Sequence, residues 1–323
     1  MKQIKFSEVK NGFLDSIQLF ICSSSFEDRC LSVISNIDKM IIDHVAICHY
    51  EENYNKSIEN KNRIVGVCDK ADIQTTIISI YHDNPIRNCD AIVSAIKAMP
   101  VNSNILIDVS TFTRENILII IKLSKSILSD YNINFCYTPS SHYSLGEGGD
   151  NLKCSLWLSR GVNDIRSVLG YSGEFSPLKK LLLIVLVGFE YERAQTLIDN
   201  YEPNRLIIGK ANAEESISSE LSAINDSHLE LLKNMYPDAE PFEFSCKDIN
   251  VTRNKIIELI AQYRAEYNIV ISPMNNKISL IATSSVALDY PEIQICYATT
   301  NQYNVEGYSK SCDYFYYIDR SEI

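Results

Sequence analysis

With 323 residues, the chain is long enough for two domains of ordinary size, and 46% apolar with 22% charged residues describes a globular protein with ample core. A formal net charge of −11 argues against nonspecific binding to long DNA or RNA, which needs a broad basic face, yet leaves room for a small anion held by a few local Arg and Lys. The start, Met1-Lys-Gln-Ile-Lys-Phe, has no signal-peptide apolar core, and the most apolar run, Leu181 to Gly188, is far shorter than a membrane span. A cytoplasmic location with no membrane contact is therefore expected. The ten cysteines are scattered, without a C-x-x-C pair or zinc spacing, and read as reduced core thiols.

In chain order, Ser16 to Cys22 reads as a first strand, and Ser23 to about Lys39 as a turn and helix. His44 to Tyr50 is the second strand, and a helix follows the polar segment Glu51 to Asn62 and ends near Ala71. Ile73 to Ile80 is the third strand, and a helix runs from about Asn88 to Met99. Asn104 to Ile107 is the fourth strand. It ends in Asp108-Val-Ser110-Thr111-Phe-Thr113-Arg114, and a helix then runs to about Asp130. Ile133 to Tyr137 is the fifth strand. This alternation predicts a parallel sheet covered on both faces.

The same order then recurs. Leu181 to Val187 with Glu190, Glu192 and Arg193 matches the first strand with Glu27, Asp28 and Arg29. Arg205 to Lys210 matches His44 to His49, and Pro241 to Asn254 matches the third strand with its following loop. Tyr267 to Ile271, leading into Ser272-Pro-Met-Asn275-Asn276-Lys277, matches the fourth strand and its loop. Ile293 to Thr300 matches Ile133 to Ser140. The expected architecture is two tandem Rossmann-like doubly wound α/β domains related by internal duplication, residues 1–170 and 171–323. The tail strand Tyr314 to Ile318 is assigned to the second half, corresponding to Leu156 to Leu158.

Strand carboxyl ends share one rim in such sheets, so residues ending different strands meet there. The first rim would collect Glu27 and Arg29, His49, His82, Asp108, Ser110, Thr111, Thr113, Arg114 and His142. The second would collect Glu192, Arg193, Asn275, Asn276 and Lys277. Hydroxyls, amides and a cation at a helix N-terminus suit a phosphate or ribose, although Ser110, Thr111 and Thr113 also suit plain helix capping. The Arg shared by both first-helix turns either pairs with its neighbouring acid or grips a ligand. His49, His82 and His142, with Asp108 or Glu27 as acid, could serve a hydrolase or glycosidase acting on a nucleotide. Each is also readable as an ordinary loop histidine. No H-x-x-x-H spacing supports a metal, and without G-x-G-x-x-G no dinucleotide cofactor is expected. Gly146-Glu-Gly-Gly-Asp150 lacks the Lys-Ser/Thr of a P-loop and reads as a hairpin or linker tip.

At Asp108-Val-Ser-Thr-Phe-Thr-Arg114 and Ser272-Pro-Met-Asn-Asn-Lys277 the chain resembles the CARF and SAVED sensor domains of bacterial antiviral systems. Both loops lack the glycines of those families, and Thr113-Arg114 stands where a Lys is expected. Those domains are Rossmann-like, and a polar loop between strand and helix contacts a cyclic oligonucleotide. SAVED looks like two fused CARF units, as this duplication suggests. The resemblance implies a nucleotide-binding sensor or regulatory subunit in antiphage defence that works through a partner or effector protein. A structural partner subunit with degenerate pockets is the further alternative.

Overall fold

The computed structural model describes residues 1–9, 15–50, 54–143, 158–305 and 309–323. In chain order its elements are β1 (Lys2–Lys5), β2 (Leu19–Ser24), α1 (Ser32–Asn36), β3 (His44–Tyr50), α2 (Asn55–Asp69), β4 (Gln74–Ile80), α3 (Pro85–Lys97), β5 (Asn104–Asp108), α4 (Arg114–Lys125), β6 (Asn132–Tyr137) and β7 (Ser140–Tyr143). The series continues with β8 (Ser159–Ser172), β9 (Lys180–Leu186), α5 (Tyr191–Tyr201), β10 (Arg205–Ala211), α6 (Ser219–Met235), β11 (Glu240–Phe244) and α7 (Ile249–Tyr263). It closes with β12 (Tyr267–Pro273), α8 (Lys277–Asp289), β13 (Gln294–Tyr303), β14 (Ser309–Ser311) and β15 (Tyr314–Ile318).

The strands form two large sheets, ordered β1-β15-β6-β5-β2-β3-β4 and β11-β10-β9-β12-β13-β8. In each, five parallel strands run in the doubly wound order, with the strand sequence reversing between β2 and β5 and between β9 and β12. The duplication is therefore a structural fact. The sheets are not purely parallel, because each is closed by an antiparallel strand next to β6 or β13.

Those closing strands overturn the expected boundary between residues 170 and 171. One unit comprises Met1–Tyr143 with Val305–Glu322, and the other Ser144–Asn304 with Ile323. β15, assigned from sequence to the second half, lies in the first unit's sheet between β1 and β6. β8, which precedes the boundary expected from sequence except for its last two residues, closes the second unit's sheet. Each repeat thus lends its last strand to the other. The registers are equivalent: Tyr316 faces Tyr137 as Arg166 faces Tyr297, and Ser309 faces Tyr143 as Ser159 faces Tyr303. In the second unit the β13–β8 ribbon is continuous. In the first it is broken into β6–β15 and β7–β14. The expected match of the tail to Leu156–Leu158 falls partly outside the described residues, as does Gly146 to Asp150.

Local chemistry explains most element ends. α3 starts at Pro85, earlier than expected, because Asn84 accepts a hydrogen bond from Arg87 N and Pro at the first helical position needs no N–H partner. The predicted helix after β2 is instead a 3-10 turn (Asp28–Leu31), the five-residue α1 and a second 3-10 turn (Lys39–Ile41). Ile37 adopts extended backbone after α1, and the Asp38 side chain accepts from Met40 N to start the next turn. β2 begins at Leu19, since Ile17 makes only an isolated bridge to Ile42. One core packs α1 and α2 against Phe20, Leu106, Cys136 and Phe315 in the first unit, and another packs α5 and α6 against Leu183, Val185 and Val270 in the second.

Candidate functional site

The reversal of strand order sends the chain to opposite faces after β2 and β5, opening a crevice between the Ser23–Glu27 and Asp108–Thr113 loops. In this protein the crevice is bridged by its own loops: Thr111 Oγ1 donates to the carbonyl of Ser23 (2.9 Å). The second unit does the same more tightly. Asn275 Nδ2 donates to the Val187 carbonyl (2.6 Å) and Met274 N to that of Leu186 (3.0 Å). A Cβ built on Gly188 would stand 2.4 Å from the Met274 carbonyl oxygen, so only glycine permits this approach.

The helices leaving the crevices are capped by Thr113, which accepts from Asn116 N (3.3 Å), and by Asn276, which accepts from Ser279 N (3.0 Å). Arg114 and Lys277 occupy the first helical position of α4 and α8, and both are half-buried. Asn276 Nδ2 also donates to the Cys246 carbonyl (2.7 Å), and Asn275 Oδ1 accepts from Asn276 N (2.8 Å) and Cys246 Sγ (3.1 Å).

Asp108 is 2% exposed. Its Oδ1 accepts from Ser110 N (3.0 Å) and Ser110 Oγ (2.5 Å), and its Oδ2 has no partner among the described residues. Burial pushes this carboxyl up to about 6, against the Ser110 hydrogen bonds and the Arg29 charge. Ser110 Oγ in turn accepts from Thr138 N (2.8 Å).

The histidines are not assembled with this acid. His49 Nδ1 lies 2.8 Å from Ser24 Oγ. His82 stacks on Tyr50, with ring centroids 4.2 Å apart, and burial lowers its pKa to about 4 despite Asp83. Consecutive residues on a strand point to opposite faces, so His49 and the Tyr50–His82 stack lie on opposite sides of the sheet. His142 is on β7 opposite Lys310. Tyr50 was missed as a site residue in the sequence, yet its hydroxyl organises the start of α4. It donates to Thr113 Oγ1 (3.3 Å) and accepts from Asn116 Nδ2 (2.8 Å). An apolar strand ending in Tyr offers no signal of that role.

Glu27, Arg29 and Arg193 take part in buried ion pairs. Arg29 donates through Nε and Nη2 to Glu27 Oε2 (3.0 and 2.6 Å), through Nε to Ser309 Oγ (3.0 Å) and through Nη1 to the Thr138 carbonyl (3.0 Å). Ser309 Oγ also donates to Glu27 Oε2 (2.5 Å). The second unit repeats the knot. Arg193 binds Glu190 (3.0 Å) and the Ala298 carbonyl, and Ser159 donates to Glu190. Both guanidinium groups are buried. Glu192, the acid singled out in the sequence, is exposed on the first turn of α5 and is not the partner.

Among the described residues no group of three His, Cys, Asp or Glu is placed to hold a metal ion. A cavity of about 120 Å³ between Ser16, Asn104 and Tyr317 lies at the amino ends of the first unit's strands, the end opposite the rim. A groove of about 840 Å³ beside Glu202, Arg205 and Met235 is placed likewise in the second unit.

Fold and site together define a duplicated Rossmann-like α/β protein with two pseudo-equivalent, self-bridged switch points. No family model matches the chain, and no curated protein matches it. Among solved structures it is similar to the cytoplasmic domain of a prokaryotic cation chloride cotransporter, at 8% identity and TM-score 0.28, covering 90% of this chain and 98% of that one. It is also similar to the N-domain, with NADP, of a bacterial malonyl-CoA reductase, at 9% identity and TM-score 0.25, covering 85% and 77%. Among the described residues no helix is long and apolar enough to cross a membrane.

Proposed function

We propose that the protein is a sensor or regulatory subunit that binds a nucleotide-type anion, a cyclic oligonucleotide by the resemblance to CARF and SAVED domains, and that it passes the signal to a partner protein in antiphage defence. The observation that carries this reading is the placement of Arg114 and Lys277. Each opens the helix at its unit's switch point, directly after a neutral capping residue. A cation at a helix N-terminus opposes the dipole, and an anion bound there reverses that penalty and is favoured by the dipole itself. Because the crevices are bridged by Thr111 and Asn275, the anion sits outside the bridges, on the helix starts.

The test is mass spectrometry of small molecules released from natively purified protein, followed by titration of cyclic oligonucleotides and mononucleotides. Each charge-assisted contact is worth about 1.5–3 kcal/mol, so Arg114→Ala and Lys277→Ala should each weaken binding about ten- to a hundredfold. Unchanged affinity in both variants, or no ligand at all, refutes the proposal. One observation favours a second reading, that of a structural partner subunit. The hydrogen bonds from Thr111 and Asn275 fill the crevices that such folds use for ligands. A stable complex with a partner protein, combined with no ligand in the mass spectrum, would select it.

A further inference from the structure

Four strands form the outer edges of the two large sheets, and three of them carry features that discourage pairing with another strand. β1 (Lys-Gln-Ile-Lys) exposes Lys2 and Lys5. β11 (Glu-Pro-Phe-Glu-Phe) has Pro241, which lacks an N–H, and two glutamates. β8 carries Arg160, Asp164 and Arg166, and its register with β13 breaks twice. β4 has none of these. Its sequence, Gln-Thr-Thr-Ile-Ile-Ser-Ile, contains no charge and no proline, and it pairs with β3 in unbroken register over its whole length. Gln74, Thr76 and Ile77 are exposed, Ile77 to 45%. The pseudo-equivalent strand β11 shows that the fold accepts a blunted edge at this place.

We infer that β4 is a dimerisation edge, pairing antiparallel with β4 of a second copy about a two-fold axis through Ile77. A symmetric antiparallel pair sets each residue against its mirror position, so a charged strand would oppose like charges, and this strand has none. On the axis Ile77 meets Ile77 of the second copy, with Cβ atoms about 5 Å apart, and covers the strand's exposed apolar side chain. The flanks are complementary. Lys70 precedes the strand while Asp83 follows it, so antiparallel pairing brings Lys70 beside the second copy's Asp83. Among the described edges of the two large sheets the pairing consumes the one that is not blunted, so assembly stops at two, with the seven-stranded sheets joined into one.

Sedimentation equilibrium of the full chain tests this. Ile77 is exposed, so Ile77→Lys and Ile77→Glu leave the fold intact, and unchanged circular dichroism verifies it. The wild type is expected to dimerise in the micromolar range, and each variant alone to be monomeric, because two like charges meet on the axis. An equimolar mixture of the Lys and Glu variants is expected to recover a heterodimer. A monomeric wild type, a dimer indifferent to both substitutions, open-ended polymers, or a mixture that stays monomeric would each overturn the inference.

Discussion

The placement of β15 in the first unit, against its position in the sequence, makes a sharp prediction at Phe315. This side chain is 1% exposed, stacks on Phe6 with centroids 5.6 Å apart, and joins the core containing Phe20, Leu106 and Cys136. Phe315→Ala removes its burial and leaves a cavity beneath α1, at a cost of about 3–5 kcal/mol. Against a typical domain stability of about 5–15 kcal/mol, that is a large fraction of the first unit's margin. Hydrogen exchange read by mass spectrometry resolves where the loss falls. Amides of β5 and β6 that open by global unfolding of the first unit should exchange about a hundredfold faster or more, at about 1.4 kcal/mol per decade, while those of β9 and β12 keep their protection. In β8, Val168→Ala at a fully buried position should loosen β12 and β13 and spare β5 and β6. If Phe315→Ala instead loosens β9 and β12, the tail belongs to the second half and the exchanged-strand architecture is wrong.

Three further outcomes follow from the site. Gly188→Ala forces a methyl group against the Met274 carbonyl and should cost about 1–3 kcal/mol in the second unit's unfolding, with the first unit unaffected by hydrogen exchange; a neutral effect would contradict the close approach. Arg29→Ala strands Glu27 as a buried charge and Arg193→Ala does the same to Glu190, so each should destabilise its own unit by about 3–5 kcal/mol in urea, and a change below ~1 kcal/mol would show that the knots are dispensable. Asp108 carries a pH signature. Its folded pKa, about 6, lies above the usual carboxylate value of 3.8, so the native state holds this proton more tightly than the unfolded chain. The stabilisation from that proton is complete below the unfolded value and is lost as pH rises through the folded one, by about 3 kcal/mol in order of magnitude. Asp108→Asn should therefore gain on the wild type between pH 4 and pH 7 in urea unfolding, and a constant gap across that range would refute the assignment.

The parallel strands were legible because both repeats use apolar runs of strand length that end in polar loops, and the order of those loops repeats. The closing strands were not, since Tyr314–Ile318 shows strand periodicity but nothing local says which sheet it joins. That choice is made by distant partners, Tyr137 and Phe135 on one side and the short strand from Lys2 to Lys5 on the other. Arg29 and Arg193 were recognisable as a conspicuous pair, but their role depends on Ser309 and Ser159, which lie far off in sequence from their own strand–helix corners. His49 and His82 looked like neighbours on one rim until strand alternation, set by Tyr50, placed them on opposite faces.

The two switch points also differ in a way that bears on which would accept an anion. In the first unit a polar chain runs from Asp108 through Ser110 to Thr138, then through Arg29 to Glu27 and Ser309, so the loop is tied to the closing strand through a buried carboxylate. The register puts Ser272 in the place of Asp108, and Met274 donates its N–H directly to Leu186. The second rim therefore presents Asn275, Asn276 and Lys277 over a neutral Ser272 where the first has Asp108. Above pH 6 the first rim must hold any anion near the ionised Asp108, whereas in the second a neutral Ser272 takes that place and the neighbouring acid is Glu215, beside Cys246. By this difference between Ser272 and Asp108, the anion binding proposed above is expected to be stronger at the second switch point than at the first.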